Sequence, residues 1–125
     1  MPTGQYNPKR ILVVEDEMLL AMNLEDMLAE LGHTVVAVAT RMAQAKTCAA
    51  EKEIDLAILD LNLSGSLSFP VADILRQRGI PFLFATGYGS TGLTENYRKE
   101  CVLTKPYGLG ELEIAINHVI SVPST

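Results

Sequence analysis

Apolar residues follow two alternating rhythms along this chain. Short runs rich in β-branched residues are separated by stretches whose apolar positions recur every three or four residues. The first pattern belongs to buried strands and the second to helices packed on them. Arg10 to Val14, Thr34 to Ala39, Ile54 to Leu59, Pro81 to Ala85 and Cys101 to Thr104 read as strands. They are apolar through most of their length, as a parallel sheet covered on both faces requires. Between them, Leu20, Leu24, Met27, Leu28 and Leu31 form one helical stripe, closed by Gly32. Arg41 to Glu51 predicts a second helix and Pro70 to Arg78 a third, stopped by Gly79. Leu109, Leu112, Ile116, Val119 and Ile120 mark a last helix. From Gly87 to Glu100 the pattern weakens. Gly87, Gly89 and Gly92 disfavour a helix, so Leu93 to Lys99 predicts a short mobile one of about two turns. The expectation is one α/β domain of five βα units, residues 9–122, between a flexible segment 1–8 and a frayed tail 123–125.

A chain of 125 residues suits one domain that buries roughly two-thirds of its unfolded surface, with no room for a separate output domain. The formal net charge of -5 opposes binding to a nucleic-acid backbone. No apolar run is long enough to span a membrane, and Met1 to Lys9 lacks the apolar stretch of a secretory signal. Cys48 and Cys101 lack metal-ligand spacing and read as small core hydrophobes in a reducing compartment, which places the protein in the cytoplasm. Met18, Met22, Met27 and Met42 read as packing residues, and His33 and His118 as surface residues.

The candidate chemistry sits at the ends of the apolar runs. Glu15 and Asp16 follow the first, Asp60 the third, Thr86 the fourth, and Lys105 the fifth. In a parallel sheet these ends face one crevice, where α/β proteins bind ligands. Two unit charges about 4 Å apart repel by about 4 kcal/mol at an effective dielectric near 20, so crowded carboxylates there call for a cation. Oxygen-only ligands suit Mg²⁺ or Mn²⁺, and Mg²⁺ favours one or two carboxylates with waters and phosphate oxygens. Lys105 offers a point charge to such a phosphate, and Thr86 a hydroxyl. A carboxylate can attack phosphorus, and Asp60, standing alone after the central run, is the better nucleophile. The adjacent pair Glu15 and Asp16 is better suited to holding metal. Taken singly, each residue has a plainer reading: an acid after a strand caps the next helix, a Thr-Gly pair forms a turn, and a lysine lies on the surface.

Glu15-Asp16, Asp60, Thr86 and Lys105-Pro106, in this order on alternating α/β units, resemble the receiver domains of two-component response regulators. The resemblance implies a five-stranded, doubly wound flavodoxin-like sheet in order 2-1-3-4-5. It implies Asp60 as phosphoacceptor, and Asp16, Asp60 and the main-chain carbonyl of Asn62 as metal ligands, with Glu15 acting through a metal-bound water. Lys105 would bind the phosphoryl group, and Thr86 would turn inward once Asp60 is modified. It also implies a cis peptide bond between Lys105 and Pro106.

Phe84-Ala85-Thr86-Gly87 further resembles the "FAT GUY" receiver subgroup of alphaproteobacterial signalling. Two positions depart from the general receiver pattern. Val102 stands where an aromatic switch residue is usual, so that Tyr88 or Tyr97 would be the moving aromatic, and Ser64 replaces the proline usual four residues after the phosphoacceptor. The implied function is a stand-alone response regulator. It would take its phosphoryl group from a sensor histidine kinase or phosphotransfer protein and act on a further protein, as a monomer or weak homodimer, with no enzymatic turnover of its own beyond Asp60. Two alternatives are a Mg²⁺-dependent phosphatase or phosphotransferase using an aspartyl-phosphate, and a receiver-like module that is never phosphorylated.

Overall fold

The computed structural model describes residues 8–87, 93–97 and 99–121. Its main sheet is formed by β1 (Arg10–Val14), β2 (Thr34–Ala39), β3 (Leu56–Asp60), β6 (Phe82–Thr86) and β7 (Val102–Thr104). All of their pairings are parallel, in the order β2-β1-β3-β6-β7. Counted along the main sheet alone, this is the expected order 2-1-3-4-5. Two further strands, β4 (Asn62–Leu63) and β5 (Ser66–Leu67), pair with each other as an antiparallel hairpin just beyond Asp60. The hydrophobic pattern gave no sign of this hairpin, because two-residue strands have no period.

Four α-helices cover the sheet among the described residues: α1 (Met18–Glu30), α2 (Met42–Glu51), α3 (Phe69–Gln77) and α4 (Leu109–Ser121). Alternation along the strands divides the core into two layers. Leu12, Val14, Ala57, Leu59, Phe82 and Phe84 pack with Ala45, Cys48 and Ala49 of α2 and Val71, Ala72 and Leu75 of α3. Ile11, Val13, Leu56, Ile58, Leu83 and Leu103 face the other way, onto Leu24 and Leu28 of α1 and Leu112, Ala115, Ile116 and Val119 of α4. Within the first layer α2 and α3 are stitched by Arg78, whose Nη1 donates to the carbonyls of Ala49 at 2.6 Å and Lys52 at 3.0 Å, groups left open at the end of α2.

Some boundaries and side chains depart from the pattern. β3 and β6 begin and end one or two residues later than expected, so Asp60 and Thr86 are the last strand residues and not loop residues. The backbone ladder thus holds both side chains at fixed points on the rim. α1 ends as expected, with Gly32 at φ 88 and the His33 N–H closing on the Leu28 carbonyl at 2.9 Å. Its buried stripe is Ala21, Leu24 and Leu28, whereas Met18, Leu19, Leu20 and Met22 are exposed, so Met18 and Met22 are not packing residues. His33 is half-buried, its Nδ1 accepting the Lys9 N–H at 3.0 Å, while His118 is exposed as expected. Cys48 is buried and Cys101 half-buried. In place of a two-turn helix at Leu93 to Lys99 there is one 3-10 turn, Glu95–Tyr97; residues 88–92 lie outside the described residues, and Tyr88 with them.

Candidate functional site: an acid crevice at the strand ends

Two β-strands of one register bring the key acids together. β1 pairs with β3, and the chain leaves both at the same rim, Glu15 and Asp16 from one and Asp60 from the other. Glu15 is fixed by its own backbone, whose N–H donates to the Ala39 carbonyl at 3.0 Å. β7 pairs with β6 on the far side, and the Lys105 N–H continues that ladder to the Thr86 carbonyl at 2.8 Å. Lys105 Nζ then reaches back over the crevice, donating to Glu15 Oε1 at 3.1 Å and lying 3.5 Å from Asp60 Oδ2. Ninety residues of sequence separate Lys105 from Glu15, so this pair exists only through the sheet. The Lys105–Pro106 peptide bond is cis.

Glu15, Asp16 and Asp60 each offer a carboxylate oxygen, and these oxygens lie within 4.8 Å of one another. Glu15, Asp60 and Thr86 are buried. The electrostatic consequences differ from group to group. Burial, then repulsion from Glu15, pushes the Asp60 carboxyl up to about 7, against the pull of Lys105. Burial disfavours the Lys105 ammonium, yet Asp60 and Glu15 outweigh it and raise its pKa. Burial also opposes ionisation of Asp16, but the hydroxyl and N–H of Ser64 prevail and hold its carboxyl below the ordinary range. Tyr107 is pushed up to about 12 by burial and by the charges of Glu15 and Asp60, which keeps its phenol neutral. Nothing in the sequence pattern pointed to Tyr107.

A carboxyl whose folded pKa of about 7 exceeds its ordinary 3.8 holds its proton better in the folded state than in the unfolded one. Stability therefore falls as pH rises from about 4 through 7. Asp60→Asn removes the titration and is expected to melt several degrees above wild type at pH 8 in EDTA, roughly 2 kcal/mol, and to match it near pH 4. Equal melting temperatures at both pH values would show that Asp60 is not electrostatically strained.

The donor set fits a small divalent cation. All side-chain ligands are oxygens, three carboxylates converge, and one ammonium offsets only part of their charge. Asn62, whose carbonyl was expected among the ligands, follows Asp60 by two residues; its N–H lies 3.4 Å from Asp60 Oδ1 and its side-chain oxygen accepts the Gly65 N–H at 2.9 Å.

Of the expected switch positions, Thr86 ends β6 at the rim, while Tyr97 and Val102 pack in the cluster that contains Phe84. Val102 is half-buried opposite Phe84 in the β6–β7 pairing. Tyr97 is buried, its ring stacked on Phe69 with centroids 4.5 Å apart and its hydroxyl donating to the Phe69 carbonyl at 3.4 Å. The guanidinium of Arg76 lies 4.4 Å from the centre of the Tyr97 ring. Arg76 also donates to the Asn96 carbonyl at 3.2 Å and to Glu100 Oε2 at 2.6 Å. Arg76 escaped notice because a cation at the end of α3 has no sequence signal linking it to a segment twenty residues away.

A doubly wound parallel sheet with clustered carboxylates and a lysine at the strand ends defines an α/β domain of the receiver type. The chain belongs to the response regulator receiver domain family, whose family model matches residues 11–117, and it is a receiver of two-component signalling. It is similar to the phyllosphere-induced regulator PhyR of Methylorubrum extorquens, 32% identical over 114 residues that cover 88% of this chain and 43% of that protein. The chain thus spans about half the length of the curated relatives it matches. Among solved structures, SdrG from Sphingomonas melonis Fr1 is 40% identical with a TM-score of 0.81, over 90% of this chain and 97% of that one. The receiver domain of PhyR from Erythrobacter litoralis is 30% identical with a TM-score of 0.82, over 98% of this chain and 97% of that one. No helix among the described residues is long and apolar enough to cross a membrane.

Proposed function

We propose that this receiver accepts a phosphoryl group on Asp60 from the phosphohistidine of a sensor kinase or phosphotransfer protein, and signals through contact with another protein. The observation that carries this reading is Lys105 Nζ poised 3.5 Å from Asp60 Oδ2, beside Glu15 and Asp16. Asp60 must first lose its proton. Its carboxylate oxygen then attacks phosphorus, an O–P bond forms as the P–N bond breaks, and the imidazole leaves. Lys105 stands where it can follow an oxygen of the transferring group, and the Thr86 side chain, last on β6, is within the same rim. Asp16, Asp60, the Asn62 carbonyl and, through water, Glu15 would hold Mg²⁺, which when bound supplies positive charge opposite the phosphoryl oxygens. The domain assignment to residues 9–122 and membership of the FAT GUY subgroup belong to the same reading. It is supported by the match to SdrG, of whose solved chain this one covers 97%.

The output is read at the segment that joins Thr86 to Lys105. Modification of Asp60 draws these two side chains toward the crevice, and the described part of the segment between them is fastened to α3 by Arg76 and by the Tyr97–Phe69 contact. A few contacts of this size make a two-state element that phosphorylation can bias. With Mg²⁺ and beryllofluoride, hydrogen exchange is expected to slow across residues 93–107 in the wild type and to stay unchanged in Asp60→Asn. Identical protection in the two proteins would sink the switch reading.

A further inference from the structure

Ser64, where the resemblance places a proline, makes contacts a proline could not. Its backbone lies in the left-handed region at φ 53, next to Gly65 at φ 89, at the tip of the β4–β5 hairpin. Both of its donors converge on one atom: the N–H lies 2.9 Å and the hydroxyl 3.0 Å from Oδ2 of Asp16. A proline could adopt neither that φ nor that N–H bond. Asp16 otherwise stands only half-buried on the loop after β1, and two converging bonds to one oxygen hold its carboxylate in the rotamer seen. In that rotamer its ligand oxygen lies within 4.8 Å of those of Glu15 and Asp60.

We propose that Ser64 is a positioning residue for cation binding, holding Asp16 in its ligating rotamer and coupling occupancy of the crevice to order in the β4–β5 hairpin. The inference rests on the cation-binding reading above. A free Asp16 would have to be ordered by the incoming ion, whereas the latched one is ordered beforehand. Groups that hold a ligating side chain typically contribute about 10- to 100-fold in metal affinity. Coupling of this kind is reciprocal, so the ion must steady the latch by a comparable factor.

The test is a Mg²⁺ titration of the full chain, followed by amide NMR, for wild type, Ser64→Gly, Ser64→Ala and Asp16→Asn. Ser64→Gly removes the hydroxyl, keeps the N–H and suits the left-handed backbone, so it is expected to melt at or above the wild-type temperature. It should nevertheless bind Mg²⁺ about tenfold more weakly, with Ser64→Ala alongside it and Asp16→Asn weaker still. Falling affinity without falling stability separates positioning from a merely structural role. Mg²⁺ should also slow exchange of the amides at residues 64 and 65 in wild type and not in Asp16→Asn. Unchanged or tighter binding by Ser64→Gly would overturn the latch alone, since the hydroxyl would then be a bystander or a competitor. Absence of Mg²⁺ binding by the wild type would overturn both the latch and the cation reading.

Discussion

Incubation with Mg²⁺ and phosphoramidate is expected to add one phosphoryl group to the wild-type chain and none to Asp60→Asn, as read by intact mass. The expectation follows from the position of Asp60 on the last residue of β3, where the ladder with β6 holds it at the rim. Its competitors are otherwise engaged. Glu15 Oε1 is bonded to Lys105 and Oε2 accepts the Glu17 N–H at 3.1 Å, while Asp16 Oδ2 accepts both Ser64 donors. The asparagine amide keeps the shape of the side chain and removes the anionic nucleophile, so the P–N bond of the donor is left intact. Addition of equal mass to the asparagine variant would move the acceptor to another residue. No addition to either protein, together with no beryllofluoride binding, would leave the silent module as the surviving reading.

Phe84→Ala is expected to destabilise the fold by about 3–5 kcal/mol in urea unfolding, a large part of the roughly 5–15 kcal/mol that holds a domain together. Phe84 is fully buried at the centre of β6. Its ring meets Phe69 at 5.7 Å, Phe82 at 5.6 Å and Tyr97 at 5.9 Å, each pair edge-to-face. Those neighbours come from α3, from β6 itself and from the 3-10 turn, so they cannot all close on the cavity without moving elements apart. Two residues along the same strand stands Thr86, and removal of the ring is therefore expected to loosen the segment that the proposed switch uses. A cost below about 1 kcal/mol would show that the site collapses freely and that the rings are not a packed unit.

Much of this protein was legible in its sequence, and the reasons are local. Apolar runs of strand length, separated by helical stripes and stopped at Gly32 and Gly79, determine a parallel sheet covered on both faces, because period and chain direction are properties of neighbouring residues. Acids at the ends of runs one and three and a lysine after run five then face one crevice by topology alone. What the tertiary structure decided are contacts between segments with no common period. Ser64 reaches Asp16 across 48 residues, Arg76 reaches Glu100 across 24, and Lys105 reaches Glu15 across 90. The exposure of Met18 and Met22 is another such decision: both are apolar and lie at the start of α1, but the helix turns Ala21, Leu24 and Leu28 to the core, with Met27 and Leu31 packed beside them. Burial raises Asp60, and the hydroxyl of Ser64 lowers Asp16, through distances of a few ångströms that exist only once the strands have paired. Hydrophobic order is written along the chain, whereas the strength of a charge depends on what folding places beside it.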